Sequence, residues 1–197
     1  MQNCNVYSDF DDIEGNILDW KQYNNILFIT GRPGSGKSTL SKKIATYKKV
    51  IIIELDSFEC FISDENQNMN TEGYKDEFLV NYFNKHKEIR NININADYAI
   101  FRAQFNNYFN DLLIHCYNDF NNFYIFNGVQ IYLDLYEWDW LRGKPLIIKK
   151  TNVIKSMKRK FERDGLKIQD LNFLMYLVYA YKLRKFEKWV NKNVLKS

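Results

Sequence analysis

The sequence predicts an α/β fold in three layers, a parallel sheet between helices, and three observations carry that expectation. Short apolar runs alternate with stretches of helical periodicity along the chain, the pattern of strands joined by helical crossovers. The apolar runs are continuous rather than alternating, as strands covered on both faces are. The first of them passes through a glycine-rich turn straight into an amphipathic stretch, a strand–turn–helix unit.

Taken in order, residues 26–30 (Ile-Leu-Phe-Ile-Thr) read as the first strand, a buried parallel one. Residues 37–48 follow as a helix, with Leu40, Ile44 and Tyr47 at helical spacing. Residues 50–55 form the second strand, opened by the β-branched run Val50, Ile51, Ile52 and Ile53. Residues 57–75 are polar and irregular, a loop. Two helical patterns come next, 76–90 with Phe78, Leu79, Tyr82, Phe83 and Ile89, and 97–118 with Phe101, Phe105, Tyr108, Phe109, Leu112 and Cys116. Their aromatic stripes have the periodicity of a buried helix face, so they are assigned to the core. Residues 123–126 form the third strand, ending at Asn127-Gly128, and 146–148 the fourth, preceded by Pro145. A helix over 152–163 breaks near Asp164-Gly165, and a last helix covers 168–190 with Leu171, Leu174, Met175, Val178 and Leu183. The sequence has no internal repeat or linker, so residues 1–197 are read as one domain, with 57–122 a helical insertion between the second and third strands.

Composition narrows the function classes. The chain has 197 residues, enough for a sizeable core. Cys4, Cys60 and Cys116 are scattered without pair spacing, which excludes a disulfide framework or a zinc site and fits reduced thiols in the cytoplasm. The N-terminus is acidic (Asp9, Asp11, Asp12, Glu14) and lacks an apolar signal core. The longest apolar stretch, 173–181, is too short to span a bilayer, so no membrane partner is expected. Charge is uneven. Residues 1–100 carry 11 Lys and Arg against 15 Asp and Glu, whereas 101–197 carry 17 against 9. A basic C-terminal half suits phosphate or nucleic-acid partners.

The most specific stretch is Gly31-Arg32-Pro33-Gly34-Ser35-Gly36-Lys37-Ser38-Thr39, which fits the spacing G-x-x-x-x-G-K-[ST] of a P-loop. Glycines permit positive φ and let backbone N–H groups curl around phosphate oxygens. The helix that follows aims its positive N-terminus at the same anion. Lys37 reaches the β- and γ-phosphates of a nucleoside triphosphate, Ser38 offers a hydroxyl to Mg²⁺, and Thr39 is placed for the α-phosphate. Gly31, Pro33, Gly34, Ser35 and Gly36 form the cradle.

With Ile53-Glu54-Leu55-Asp56-Ser57-Phe58 following, the chain resembles the small P-loop kinases, closest to the zeta-toxin and shikimate-kinase-like group. The resemblance covers roughly residues 26–58 and 123–163 and implies a P-loop NTPase fold. It implies that Asp56, closing the second strand, orients or deprotonates an acceptor hydroxyl and helps to hold Mg²⁺ through water. At the end of the third strand such kinases often carry Glu or Asp before Gly, where this chain has Asn127. An amide cannot act as a base, which shifts more of the work to Asp56. Residues 151–163 resemble an Arg-bearing lid, here spanning 152–165. Lys155, Arg159 and Arg163 fall at i, i+4 and i+8 on one helix face, and Arg159 and Arg163 are the expected lid arginines. The acceptor is expected against 57–122, where Arg90 and Arg102 are the only arginines and Glu59, Asp64 and Glu65 give no support to a highly anionic acceptor. Trp20, Trp138 and Trp140 are large enough to stack on a base.

Three functions follow as expectations. The first is an ATP- and Mg²⁺-dependent phosphotransferase moving the γ-phosphoryl to a hydroxyl of an unidentified small molecule, nucleotide or nucleic-acid end, with Lys37, Asp56, Arg159 and Arg163 catalytic and Ser38 and Asp56 at the metal. The second is a nucleotide-binding regulatory protein with weak hydrolysis. The third is a nucleic-acid-binding protein using the basic stretches 155–163 and 182–192. A GTPase is a poor fit, since no Asn-Lys-x-Asp signature is present.

Overall fold

A computed structural model describes residues 6–7, 25–46, 50–62, 81, 98–133, 145–164 and 173–193. Five parallel strands stand in the order β1-β5-β2-β4-β3: β1 (Val6–Tyr7), β2 (Ile26–Gly31), β3 (Val50–Glu54), β4 (Phe123–Asn127) and β5 (Leu146–Lys149). The helices are α1 (Lys37–Ala45), α2 (Leu55–Ile62), α3 (Tyr98–Asn118), α4 (Gln130–Leu133), α5 (Val153–Asp164) and α6 (Phe173–Asn193).

The uninterrupted apolar character of β2 has a direct cause, because both faces of the sheet are covered. Ile26 and Phe28 join a core with Phe105, Phe109 and Leu112 of α3 and Leu183, Phe186 and Val190 of α6. Leu27 and Ile29 point the other way, onto Leu40 and Ile44 of α1. The neighbours follow the same alternation: Tyr124 and Phe126 of β4 face the first cluster and Phe123 and Ile125 the second. Burying one such side chain contributes about 1.5–3 kcal/mol. Phe105, Phe109, Leu112 and Cys116 of the α3 stripe are core, with Tyr108 partly buried against them, as the periodicity predicts; the side chain of Phe101 lies outside the described residues. Phe109 meets Phe126 edge-on at 5.5 Å, and Phe58 of α2 meets Phe105 edge-on at 5.3 Å, the arrangement that aromatic quadrupoles favour.

Several elements differ from expectation. The second strand stops at Glu54, and α2 starts at Leu55, so residues 57–62 are helix rather than loop. Leu55 and Phe58, fully buried, draw that turn onto the core. β1 lies in an N-terminal stretch where no element is expected. It is two residues long and held by pairing Val6 with Leu146 and Tyr7 with Ile147, which local pattern cannot reveal. The buried face of α6 runs through Tyr176, Leu183, Phe186 and Val190, whereas Val178 is half exposed. Residues 173–181 are apolar all round, so periodicity there does not choose a face; packing against α4 does. The helical pattern over 76–90 lies outside the described residues, apart from Asn81, as do Leu171, Asp64, Glu65, Arg90, Trp20, Trp138 and Trp140. Among the described residues, no helix is long and apolar enough to cross a membrane.

At the opposite end of the sheet from the glycine turn, Asp119 ties α3 to β4. Its Oδ2 accepts from Tyr124 Oη at 2.5 Å and Asn122 Nδ2 at 2.7 Å, and its Oδ1 from the Asn121 amide at 3.0 Å. Asn25 Nδ2 donates to the carbonyls of Cys116 (2.6 Å) and Asp119 (2.8 Å), closing the end of α3. The Tyr124 hydroxyl, then Asn122, hold the Asp119 carboxyl below its ordinary value of 3.8. A depressed carboxyl contributes stability that is present above 3.8 and lost as pH falls through the lower folded value. Asp119→Ala, which removes these three hydrogen bonds at a solvent-screened site, should destabilise the protein by at most about 1 kcal/mol at neutral pH. In denaturant titrations at stepped pH, the gap to wild type should narrow below pH 3.8; a gap that stays constant with pH would contradict this assignment.

Candidate functional site

The C-terminal ends of β2, β3 and β4 open on a cleft of roughly 760 Å³. In an open parallel sheet this is where ligands bind, because the loops leaving adjacent strands diverge there. The glycine-rich turn forms one wall. Gly31, Gly34 and Gly36 all have positive φ, at 151°, 76° and 93°. At Gly36, the residue before α1, left-handed geometry alone requires glycine, as no tight contact surrounds it. At Gly34 the demand is doubled, because a Cβ would collide with the Ser156 carbonyl of α5. The turn is closed by the Ser35 amide donating to the Arg32 carbonyl at 3.0 Å. No side chain caps α1 and no acid stands in its first turn, so its N–H groups and dipole remain directed toward the cleft.

Lys37 and Ser38 open α1. Lys37 Nζ donates to the Arg32 carbonyl at 3.2 Å, which folds the ammonium back over the loop. Ser38 stands beside a hydrogen-bonded pair on the strand ends, one member buried and the other part-buried. Asn127, fully buried, donates through Nδ2 to Glu54 Oε1 at 2.9 Å and Oε2 at 2.8 Å, and lies 3.3 Å from Ser38 Oγ. Glu54 and Asn127 are register partners on β3 and β4, so sheet pairing itself brings them together. Burial pushes the Glu54 carboxyl above its ordinary value of 4.5. Hydrogen bonds from Asn127 and Ser38 oppose the rise, while the Asp56 charge adds to it and Lys37 lessens it. Asp56 stands in the first turn of α2, exposed to the cleft, and its Oδ1 accepts from Gln130 Nε2 at 2.8 Å. Gln130 is itself buried.

The facing wall is cationic. Lys43 of α1, Lys149 at the end of β5, and Arg159 and Lys160 of α5 line the cleft, with Tyr179 of α6. Arg159 Nη1 lies 4.0 Å from where a Cβ on Gly36 would stand, so its guanidinium sits over the loop. Asn152 caps α5, its Oδ1 accepting from the Ile154 amide at 2.9 Å, and Ser156 Oγ donates to the Val153 carbonyl at 2.8 Å.

Pro33, Gly34, Ser35, Gly36, Lys37, Ser38, Thr39, Asp56 and Arg159 thus share one cleft. Gly31 lies behind it, against the Lys149 carbonyl. One expectation is corrected. The acid that closes the strand beside Ser38 is Glu54, with Asp56 two residues later in the first turn of α2. The cleft-facing residues of α5 are Arg159 and Lys160, and Lys155 is not among them. The buried Ser156 against Gly34 sets that rotation of the helix. The side chains of Arg163, Arg102 and Glu59 lie outside the described residues. Sequence reasoning missed Glu54, Gln130, Lys149, Lys160 and Tyr179. Only Glu54 carried a local signal, an acid two residues before Asp56 at the end of a β-branched run. Lys149 enters because it pairs in register with Gly31. Among the described residues, no group of three or more His, Cys, Asp or Glu is placed to hold a metal ion.

A carboxyl raised by burial contributes stability that is greatest below its ordinary value of 4.5 and is lost as pH rises through the folded value. Glu54→Gln keeps the shape and an acceptor for Asn127 while removing the charge. The variant should melt at a higher temperature than wild type near neutral pH, with the difference vanishing as pH falls toward 4.5. A variant that melts lower than wild type at neutral pH would contradict the burial argument.

No protein-family model matches the chain, and no curated protein matches it in sequence. The structure is similar to a solved one, that of TT1252 from Thermus thermophilus, at 14% identity and a TM-score of 0.45 over 86% of this chain and 85% of that one.

Proposed function

We propose that the protein is a P-loop phosphotransferase that moves the γ-phosphoryl of ATP to a hydroxyl. The observation that carries this reading is the meeting, on one cleft, of a positive-φ glycine loop, a cationic wall and two carboxylates in different environments. The loop and the first turn of α1 bind the triphosphate. Lys37 and Arg159 stand where charge on the moving phosphoryl is stabilised. Asp56, exposed and steadied by Gln130, receives the acceptor's proton. The acceptor oxygen forms a bond to the γ-phosphorus as the bond to the β–γ bridging oxygen breaks, and ADP leaves. No other reactant is needed.

The residues fit a magnesium ion. Ser38 and Glu54 present only oxygen donors, beside the Asn127 amide, and a buried carboxylate gains from a hard cation next to it. Ser38 would hold the ion, with Glu54 reaching it through water in the part first expected of Asp56. When bound, Mg²⁺ supplies neutralisation of phosphate charge. With the strand-end acid on β3, Asn127 on β4 acts as its positioner. A nucleotide-binding regulator with weak hydrolysis is the second reading, favoured by that same amide at the end of β4, where a base is missing.

The deciding experiment incubates the protein with Mg²⁺ and γ-labelled ATP against nucleosides, nucleotides, nucleotide sugars and 5′-hydroxyl oligonucleotides. Label should appear on one acceptor class. Lys37→Ala should lower turnover by roughly a hundred- to a thousandfold. Asp56→Asn should cost a similar factor while leaving ATP affinity within about twofold, since a base acts only in the transition state. Full turnover in Asp56→Asn would favour the regulator, and failure to bind ATP would overturn both readings.

A further inference from the structure

The cleft does not end at its cationic wall. Tyr179 lines it from α6, and α6 continues outward with Lys182, Lys185 and Lys188, all exposed. Tyr179, Lys182, Lys185 and Lys188 are three residues apart, so they form an i+3 row that leaves the site and winds about half a turn round the helix, from the cleft side to the outer face. Arg184 and Lys192 are also exposed on α6. The acid among them in the described helix is Glu187, which Lys150 engages at 3.7 Å. Tyr181 is 70% exposed beside this ridge, with Leu177 and Val178 also exposed. α5, which packs against α6, adds exposed Lys155 and Lys158.

We infer that the acceptor is a single-stranded nucleic acid whose 5′-hydroxyl end enters the cleft while its phosphates track the lysine ridge of α6. This rests on the phosphotransferase reading above and narrows its acceptor. Charge complementarity selects a polyanion. The form of the surface selects a strand: a row about 14 Å long from Tyr179 to Lys188 matches a few nucleotides, and an exposed tyrosine gives a base a stacking platform. A small anionic metabolite would use none of the ridge.

The test is fluorescence anisotropy with a 12-nucleotide deoxyoligonucleotide, labelled at its 3′ end and carrying a 5′-hydroxyl, titrated with the full chain at several salt concentrations. Wild type should bind with a log–log salt slope of about −2, the value for roughly three neutralised phosphates on a single strand. The variant Lys182→Gln/Lys185→Gln/Lys188→Gln should bind at least about tenfold more weakly at low salt, with the slope falling toward zero. Tyr181→Ala, which alters an exposed side chain, should weaken binding by roughly fivefold or more with the slope unchanged. Lys37→Ala, expected to be slow in phosphoryl transfer, should still bind the oligonucleotide, which separates failure of this inference from failure of the phosphotransferase reading. Absence of oligonucleotide binding would overturn the inference, as would a triple variant with wild-type affinity and slope. Binding of wild type to phosphatidylserine-containing vesicles but not to the oligonucleotide would assign the ridge to a membrane surface and overturn it equally.

Discussion

β2 is buried on both faces and hydrogen-bonded on both edges, and the position of every cleft residue traces back to that constraint. With β4 on one side and β5 on the other, the strand cannot slide without exposing an apolar set on one face and burying a misfit on the other. Its C-terminal end is therefore fixed, and with it Gly31 and the turn that follows. The pairing of Gly31 with Lys149 and of Ile29 with Asn127 then sets the height at which neighbouring strands release their side chains. The cleft is a consequence of register before it is a consequence of any polar contact.

Two carboxylates two residues apart are treated differently by this frame. Glu54 ends a strand and is drawn into the sheet edge, where an amide and a hydroxyl partly offset its burial. Asp56, in the first turn of α2, faces the cleft with one buried donor behind it. Divergent environments let two like groups take different parts in the proposed transfer. Gly128 makes the arrangement sterically feasible. A Cβ there would stand 2.5 Å from Gln130 Oε1 and 2.6 Å from the Leu55 Cβ, so any other residue would push α4 and α2 apart and carry Gln130 away from Asp56.

α5 and α6 bind the cationic side of the cleft to the core. The Ser156 carbonyl lies against Gly34, so the start of α5 rests directly on the glycine loop. Arg159 and Lys160 are thereby aimed by backbone packing rather than by side-chain partners alone. α6 has two jobs on one length: Leu183, Phe186 and Val190 cover the sheet while Tyr179 reaches the cleft and the lysines face outward. A charged surface on the same helix that reaches the cleft differs in kind from a solvated helix face, because its charges keep a fixed distance from the site.

The sequence by itself determined the α/β class, β2 to β5 within about a residue or two, the glycine loop with Lys37 and Ser38, and the aromatic face of α3. All of these are written in local periodicity or in contiguous spacing, and short-range sterics enforce them. It did not determine β1, whose two residues are a strand only because β5 offers an edge. It did not determine which face of α6 is buried, since its first half is apolar on every side. It also did not determine that Glu54 rather than Asp56 meets Ser38, or that Lys149, Lys160 and Tyr179 join the cleft. Those residues lie far apart in the chain, and only the strand order and the packing of α5 and α6, which are long-range contacts with no local signature, bring them to one place.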